Sequence, residues 1–148
     1  MNSLLIPVLS VLFAIVIVWV YRTKRRTSTM SQNELMARTK SETNTFVLDV
    51  RSPREYSSGH IPGAMNISHT ELSNHLEKLR QYEDKDVVVY CERGVRAQKA
   101  QGILRAVGFS HVYHLKGDMG RWRIRDLPTE TGGNIKKTGY KPQSNPHD

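Results

Sequence analysis

The longest apolar run in the chain covers residues 4–21, LLIPVLSVLFAIVIVWVY, and contains no charged side chain. Its length just suffices for a helix to cross a hydrocarbon core, and Trp19 and Tyr21 fall at its end, where amphipathic rings favour the interface. A cleaved signal peptide would need a cationic start and a small-residue cleavage site, and a buried core helix would not abut a cationic cluster. The run therefore predicts a transmembrane anchor.

The charges around this run predict its orientation. No cationic side chain precedes the run. Four follow it directly, namely Arg22, Lys24, Arg25 and Arg26. Loops rich in Lys and Arg stay on the cytoplasmic side of a membrane. We therefore expect a single-pass protein of the inner (cytoplasmic) membrane, with the bilayer as a partner and the rest of the chain facing the cytoplasm.

Shorter apolar runs alternate with helical patterns along the rest of the chain. Strands are predicted over 45–50, 64–67, 86–91 and 111–115, and helices over 32–39, from 68 to about 81, over 96–107 and within 116–126. The strand DVVVYC (86–91) contains an unbroken valine run, which indicates burial on both faces, as in a parallel sheet. This order predicts an α/β domain with a mainly parallel sheet.

The length of 148 residues allows one such domain with appendages. We expect three parts: an anchor with its basic flank over 1–26, the α/β domain over 27–130, and a tail over 131–148. The tail contains Gly, Pro, Asn and Lys but few apolar residues, so it is predicted to be disordered.

Charge and cysteine content exclude several classes of function. The net charge is +8, but the basic flank and the tail carry most of it, which leaves about +2 for the central body. No basic face interleaved with aromatic residues lies there, so no nucleic-acid partner is expected. A single cysteine, Cys91, excludes an internal disulfide and a Cys-x-x-Cys pair. The histidines His69, His75, His111, His114 and His147 show no metal-ligand spacing, and no metal or other cofactor is expected.

Cys91 lies where the valine-rich strand ends and the segment CERGVR begins, just before a predicted helix. Ligands bind outside the carboxyl ends of parallel strands, and backbone N–H groups at a helix amino terminus bind anions. Gly94 gives this loop conformational freedom, and Arg93 and Arg96 add positive charge, so the surroundings favour a thiolate. Two interpretations remain open from the residues alone: a buried structural cysteine and a nucleophile.

Three stretches, in this order and spacing, resemble the rhodanese domain of thiosulfate sulfurtransferases: LDVRSPREYSSGHIPGAMNI (48–67), VVVYCERGVRA (87–97) and VYHLKGDMGRW (112–122). The resemblance implies a five-stranded parallel sheet flanked by helices. It implies that Cys91 is a nucleophile that holds a sulfane sulfur as a persulfide, in a cradle of backbone N–H groups. It also implies supporting roles for two polar residues near the loop. The residues so assigned are Cys91 as catalytic residue, Glu92, Arg93, Gly94, Val95 and Arg96 as the cradle, and Asp49 and Arg51 as the support.

The implied function is transfer of sulfur from thiosulfate or a similar small donor, through Cys91, to cyanide, a small thiol or a protein. Two alternatives remain: a non-catalytic binding or scaffold module at the membrane, and a phosphatase or arsenate reductase. In the family that the chain resembles, loops of the phosphatase type are one residue longer than CERGVR. The chain departs from the family pattern at KGDMGRW, where a double glycine is more usual, and at Glu92, where some sulfurtransferases carry a cation. We expect the Glu92 side chain to face solvent.

Overall fold

The structure is a computed structural model that describes residues 5–24, 28–41, 44–131 and 134–136. The first helix, α1, covers Leu5–Lys24 and contains most of the long apolar run. Over the described residues, no helix is both long and apolar enough to cross a membrane, so the predicted transmembrane anchor is not supported. The predicted cytoplasmic orientation rested on that anchor and stays a prediction from charge alone.

The centre of the domain is a five-stranded sheet in which every neighbouring pair is parallel. Its strands, in chain order, are β1 (Thr29–Met30), β2 (Thr45–Asp49), β3 (Met65–Asn66), β4 (Asp86–Tyr90) and β5 (Val112–Leu115). They lie in the order β1-β5-β4-β2-β3, so β4 is the central strand. The predicted five-stranded parallel sheet is confirmed. The sequence pattern did not predict β1, because two residues are too few to show a period.

The side chains of β4 explain its central place. Val87 and Val89 pack into one apolar cluster, together with Cys91, and Val88 and Tyr90 pack into the cluster on the opposite face. All of them are almost fully buried. Successive side chains of a strand point to opposite faces, so a strand with a core on each side needs apolar residues at every position.

Helices cover both faces of the sheet. They are α2 (Gln32–Lys40), α3 (Pro53–Ser57), α4 (Leu76–Leu79), α5 (Val95–Ala106) and α6 (Asp118–Ile124). Around α4, two 3₁₀ segments over Leu72–His75 and Arg80–Tyr82 replace the continuous helix that was predicted over 68–81. The backbone leaves helical geometry at His75, yet Leu72 and Leu79 remain buried, so the apolar face survives the break.

A two-stranded hairpin follows the sheet domain. Strand β6 (Thr129–Thr131) pairs antiparallel with β7 (Asn134–Lys136), and His60 and Glu130 form a bridge between the hairpin and the body. Thr131 and Asn134–Lys136 belong to the segment that was predicted as a disordered tail, and they are strand residues. The rest of the predicted tail, 132–133 and 137–148, lies outside the described residues.

Candidate active site

The segment Cys91–Arg96 runs from the carboxyl end of β4 into the first turn of α5. Gly94 is the residue that precedes α5, and its φ of 98° lies in the region that side chains rarely adopt. A Cβ atom at this position would lie 3.0 Å from Asp118 Oδ2 and 3.1 Å from His114 Cε1. Backbone conformation and close packing both require glycine here, and together they give the loop its tight curve.

The thiol of Cys91 lies inside this curve. Cys91 is 1% exposed, and the Gly94 N–H donates to Sγ at 3.0 Å. A cavity of about 310 Å³ opens at the loop and is lined by Cys91, Glu92, Arg93, Val95 and Arg96. The structure therefore brings together the residues that were predicted as the cradle. A backbone N–H directed at sulfur stabilises negative charge there.

Arg96 connects the loop to α3. Its guanidinium donates to both carboxylate oxygens of Glu55, at 2.7 and 2.8 Å, and it also interacts with Cys91. Hydrogen bonding from Arg96 holds the pKa of Glu55 well below its usual range; burial opposes this shift, and Ser52 reinforces it. The same hydrogen bonds raise the pKa of Arg96.

Glu55 is a site residue that the sequence analysis missed. It closes a capping box at the start of α3 by accepting from the Ser52 N–H and hydroxyl, at 2.9 and 2.8 Å. The signal for this box was present, since Ser52 and Glu55 have the three-residue spacing that it requires. Its second role could not be predicted, because Arg96 lies 41 residues further along the chain.

Asp49 and Arg51 form a fully buried ion pair next to the loop. Arg51 Nη2 lies 2.7 Å from Asp49 Oδ2, and it also donates to the Gly59 carbonyl at 2.8 Å. Burial is the largest single effect on the pKa of Arg51 and lowers it, but the hydrogen bond and charge of Asp49, together with the charges of Tyr90 and Glu92, outweigh burial, so the net shift is upward. The pair reaches the loop through Arg51, whose Nη1 lies 3.6 Å from Glu92 Oε2.

Glu92 does not face solvent as expected. Its carboxylate lies between two guanidinium groups, that of Arg51 and that of Arg123 on α6, and its side chain is 25% exposed. The Gly120 N–H also donates to the Glu92 carbonyl. The two arginines hold the Glu92 carboxylate beside the nucleophile, at the lining of the cavity.

Two more polar residues contact the loop from behind, and the sequence analysis gave neither a role. Asp118 accepts a hydrogen bond from the Cys91 N–H, and His114 pairs with Asp118. Among the described residues, no group of three or more His, Cys, Asp or Glu side chains could hold a metal ion.

A family model described as the rhodanese-like domain matches residues 31–125, which include all five parallel strands except β1 and the complete cysteine loop. The chain belongs to the rhodanese-like family. The predicted resemblance is thereby confirmed at the level of family and fold, and the rhodanese-like domain is the part of the chain that contains the site.

The relatives of this rhodanese-like domain have different names, and the match covers different shares of their length. The uncharacterized protein YqhL of Bacillus subtilis is 38% identical over 90 residues, which are 61% of this chain and 63% of YqhL. A tRNA uridine(34) hydroxylase of Buchnera aphidicola is 31% identical over 91 residues, 59% of this chain but 29% of that protein. The chain thus spans less than two thirds of these curated relatives.

A solved structure is matched over most of its own length. The human single-domain sulfurtransferase TSTD1 is 27% identical, with a TM-score of 0.58, and the match covers 67% of this chain and 97% of TSTD1. A protein named as a single-domain sulfurtransferase is therefore similar to this chain over nearly the whole length of that protein.

Proposed function

We propose that this chain is a sulfurtransferase in which Cys91 takes a sulfane sulfur from a small donor and passes it to an acceptor. One observation carries the proposal. The Cys91 Sγ lies against the Gly94 N–H at 3.0 Å, and a cavity of about 310 Å³ opens beside it. A thiol used only for packing needs neither a hydrogen-bond donor nor an open cavity.

The first half-reaction moves one sulfur atom onto the protein. The Cys91 thiolate attacks the sulfane sulfur of thiosulfate, and a new S–S bond forms. The S–S bond of thiosulfate breaks, sulfite leaves with the bonding electron pair, and Cys91 becomes a persulfide. No external oxidant or reductant takes part, because the electrons that form the new bond come from the thiolate.

The second half-reaction restores the thiolate. Cyanide or a thiolate acceptor attacks the outer sulfur, the persulfide S–S bond breaks, and Cys91 keeps the electron pair. The product is thiocyanate or a new persulfide on the acceptor. Backbone N–H groups of residues 92–96 that point into the curve of the loop would bind the negatively charged outer sulfur. The charged Arg96, which is held by Glu55, adds positive potential at the same place.

The size of the loop favours sulfur over phosphate. Four residues separate Cys91 from Arg96, and they curve tightly enough for the Gly94 N–H to reach Sγ. A tetrahedral oxyanion occupies more space than a single sulfur atom, so a phosphatase needs a wider loop. An arsenate reductase that relies on a second cysteine in the same chain is excluded, since this chain has a single cysteine.

Steady-state kinetics tests the proposal. Initial rates with thiosulfate and cyanide, or with thiosulfate and a small thiol, should give the parallel double-reciprocal lines of a ping-pong mechanism. The Cys91→Ser variant should be inactive while remaining folded by circular dichroism. Turnover of an aryl phosphate that is lost in Cys91→Ser would favour a phosphatase instead. A folded native protein with neither activity across several sulfane donors would favour the binding module.

A further inference from the structure

Asp118 is buried directly behind the nucleophile loop, in a conformation that is unusual for its type. It is the first residue of α6, it is 3% exposed, and its φ is 50°. Left-handed backbone is unfavourable for residues with a side chain, although Asp and Asn adopt it more readily than others. A glycine would meet the backbone requirement without strain, so the carboxylate itself must have a reason to be there.

That carboxylate binds the backbone of the nucleophile. The Cys91 N–H donates to Asp118 Oδ1 at 2.9 Å. The next residue of α6, Met119, donates its own N–H to the Cys91 carbonyl at 3.0 Å. Successive residues of α6 therefore hold both peptide groups of Cys91, and the direction of its Cα–Cβ bond is determined by those two contacts.

His114 completes the arrangement from β5. Its Nε2 lies 2.9 Å from Asp118 Oδ2, and its side chain is 12% exposed. A carboxylate oxygen can only accept, so Nε2 carries the proton in this contact. The pair also packs under Gly94, since a Cβ there would lie 3.0 Å from Asp118 Oδ2 and 3.1 Å from His114 Cε1.

We infer that His114 and Asp118 are positioning residues of the sulfur-transfer site: His114 orients the Asp118 carboxylate, and the carboxylate orients the Cys91 backbone so that Sγ faces the Gly94 N–H and the cavity. This inference rests on the proposed function. Neither side chain lines the cavity, so both act through Cys91 and not on the sulfur donor. Their removal should lower kcat and leave KM nearly unchanged.

Two substitutions of Asp118 separate the hydrogen bond from the backbone conformation. Gly and Asn both tolerate a φ of 50°, so neither Asp118→Gly nor Asp118→Asn adds strain. Asparagine keeps an oxygen that can accept from the Cys91 N–H, and its amide N–H can donate to Nε2 in the other tautomer of His114. Glycine removes both contacts. We expect Asp118→Gly to lower kcat about tenfold or more through misplacement of Sγ, and Asp118→Asn to keep kcat within about threefold of the native value.

The histidine has a control at the opposite end of the same strand. His114→Ala should lower kcat about as much as Asp118→Gly, and His114→Gln, which retains a donor near the Nε2 position, should recover most of the loss. His111 also faces an aspartate, with its Nδ1 4.0 Å from Asp86 Oδ1, but it is 58% exposed and precedes the other end of β5. His111→Ala should leave kcat unchanged.

A readout without a sulfur donor distinguishes failure of this inference from failure of the proposed function. Amide hydrogen exchange at Cys91 should accelerate about tenfold or more in Asp118→Gly and stay near the native rate in Asp118→Asn, since the protecting acceptor is lost only in the first. Equal exchange rates in the two variants, or equal losses of kcat, would overturn the inference. If no donor loads native Cys91, the proposed function fails, and the exchange comparison still decides the role of Asp118.

Discussion

Arg96 binds Glu55 through Nη1 and Nη2, and so joins the end of the cysteine loop to the helix that follows the buried Asp49–Arg51 pair. Bidentate arginine–carboxylate pairs are geometrically specific and stronger than neutral hydrogen bonds. Arg96 is oriented by Glu55 and interacts at the same time with Cys91. A cation that interacts with the nucleophile is therefore held in place before any substrate binds.

Replacing Glu55 should reduce stability in a pH-dependent way. Folding lowers the pKa of Glu55 from an ordinary value of 4.5. The carboxylate therefore stabilises the fold fully above that value, and the contribution is lost as pH falls below it towards the folded pKa. Glu55→Gln should lower the free energy of unfolding by about 1–2 kcal/mol at pH 7, with a smaller difference at pH 3.5. Urea titrations at the two pH values measure this.

A control for that experiment is Glu77, which pairs with Arg80 but is 86% exposed. Glu77→Gln should change stability by less than about 0.5 kcal/mol, as expected of an exposed ion pair. A Glu55→Gln effect that is the same at pH 7 and pH 3.5 would contradict the electrostatic role of the Arg96–Glu55 pair.

Breaking the buried Asp49–Arg51 pair should lower the stability of the domain strongly, because the remaining charged side chain is shielded from water. Both side chains are no more than 1% exposed. Asp49→Ala should destabilise the domain by about 3–5 kcal/mol. The double variant Asp49→Ala with Arg51→Met should be more stable than Asp49→Ala alone, since it removes a buried guanidinium that has lost Asp49 and keeps only Glu92, at 3.6 Å, as an ion-pair partner. Thermal or urea unfolding measures the stability of the double variant and of the single variants Asp49→Ala and Arg51→Met. A double variant whose loss of stability equals the sum of the two single losses would contradict the pairing.

The negative charge of Glu92 at the cavity should disfavour an anionic donor. Glu92→Gln should raise kcat/KM for thiosulfate by about three- to tenfold, because the repulsion between the carboxylate and the dianion is removed. The variant should change kcat/KM much less for a donor with lower charge, such as an alkyl persulfide. Glu83→Gln, at a carboxylate that pairs with Arg80 outside the site, is the control. An unchanged or lower kcat/KM for thiosulfate in Glu92→Gln would show that the two arginines already neutralise this charge.

Gly94 offers a comparison that separates backbone strain from packing at the loop. Gly94 and Gly108 both have positive φ, 98° and 106°, but a Cβ would meet Asp118 and His114 only at Gly94, and nothing within 4 Å at Gly108. Both alanine variants should lose about 1 kcal/mol of stability from strain. Gly94→Ala should in addition lose about a hundredfold in kcat/KM, because the N–H that contacts Sγ is displaced. Equal activities of the two variants would contradict the role assigned to the loop geometry.

The features that the sequence predicted correctly are those with local or periodic signals. The valines of β4 indicated burial on both faces, and the cysteine loop was predicted between a strand and a helix, where the structure has it. The edge strand β1 was missed, since Thr29 and Met30 alone show no pattern, and the helix predicted over 68–81 is interrupted at His75.

The missed site residues are those whose contacts depend on tertiary structure. Glu55 meets Arg96 across 41 residues, and Asp118 meets the Cys91 N–H across 27. Glu92 was expected in solvent because a charged side chain in a loop usually lies there. Arg51 and Arg123, which hold it in place, come from distant parts of the chain.

The most direct test is the intact mass of the folded protein after incubation with thiosulfate, and then with a second sulfane donor, followed by peptide mapping. Sulfur transfer predicts a mass increase of one sulfur atom, located on Cys91, absent in Cys91→Ser and removed by cyanide with release of thiocyanate. A folded protein that remains unmodified at Cys91 with every donor would contradict the proposed sulfurtransferase activity.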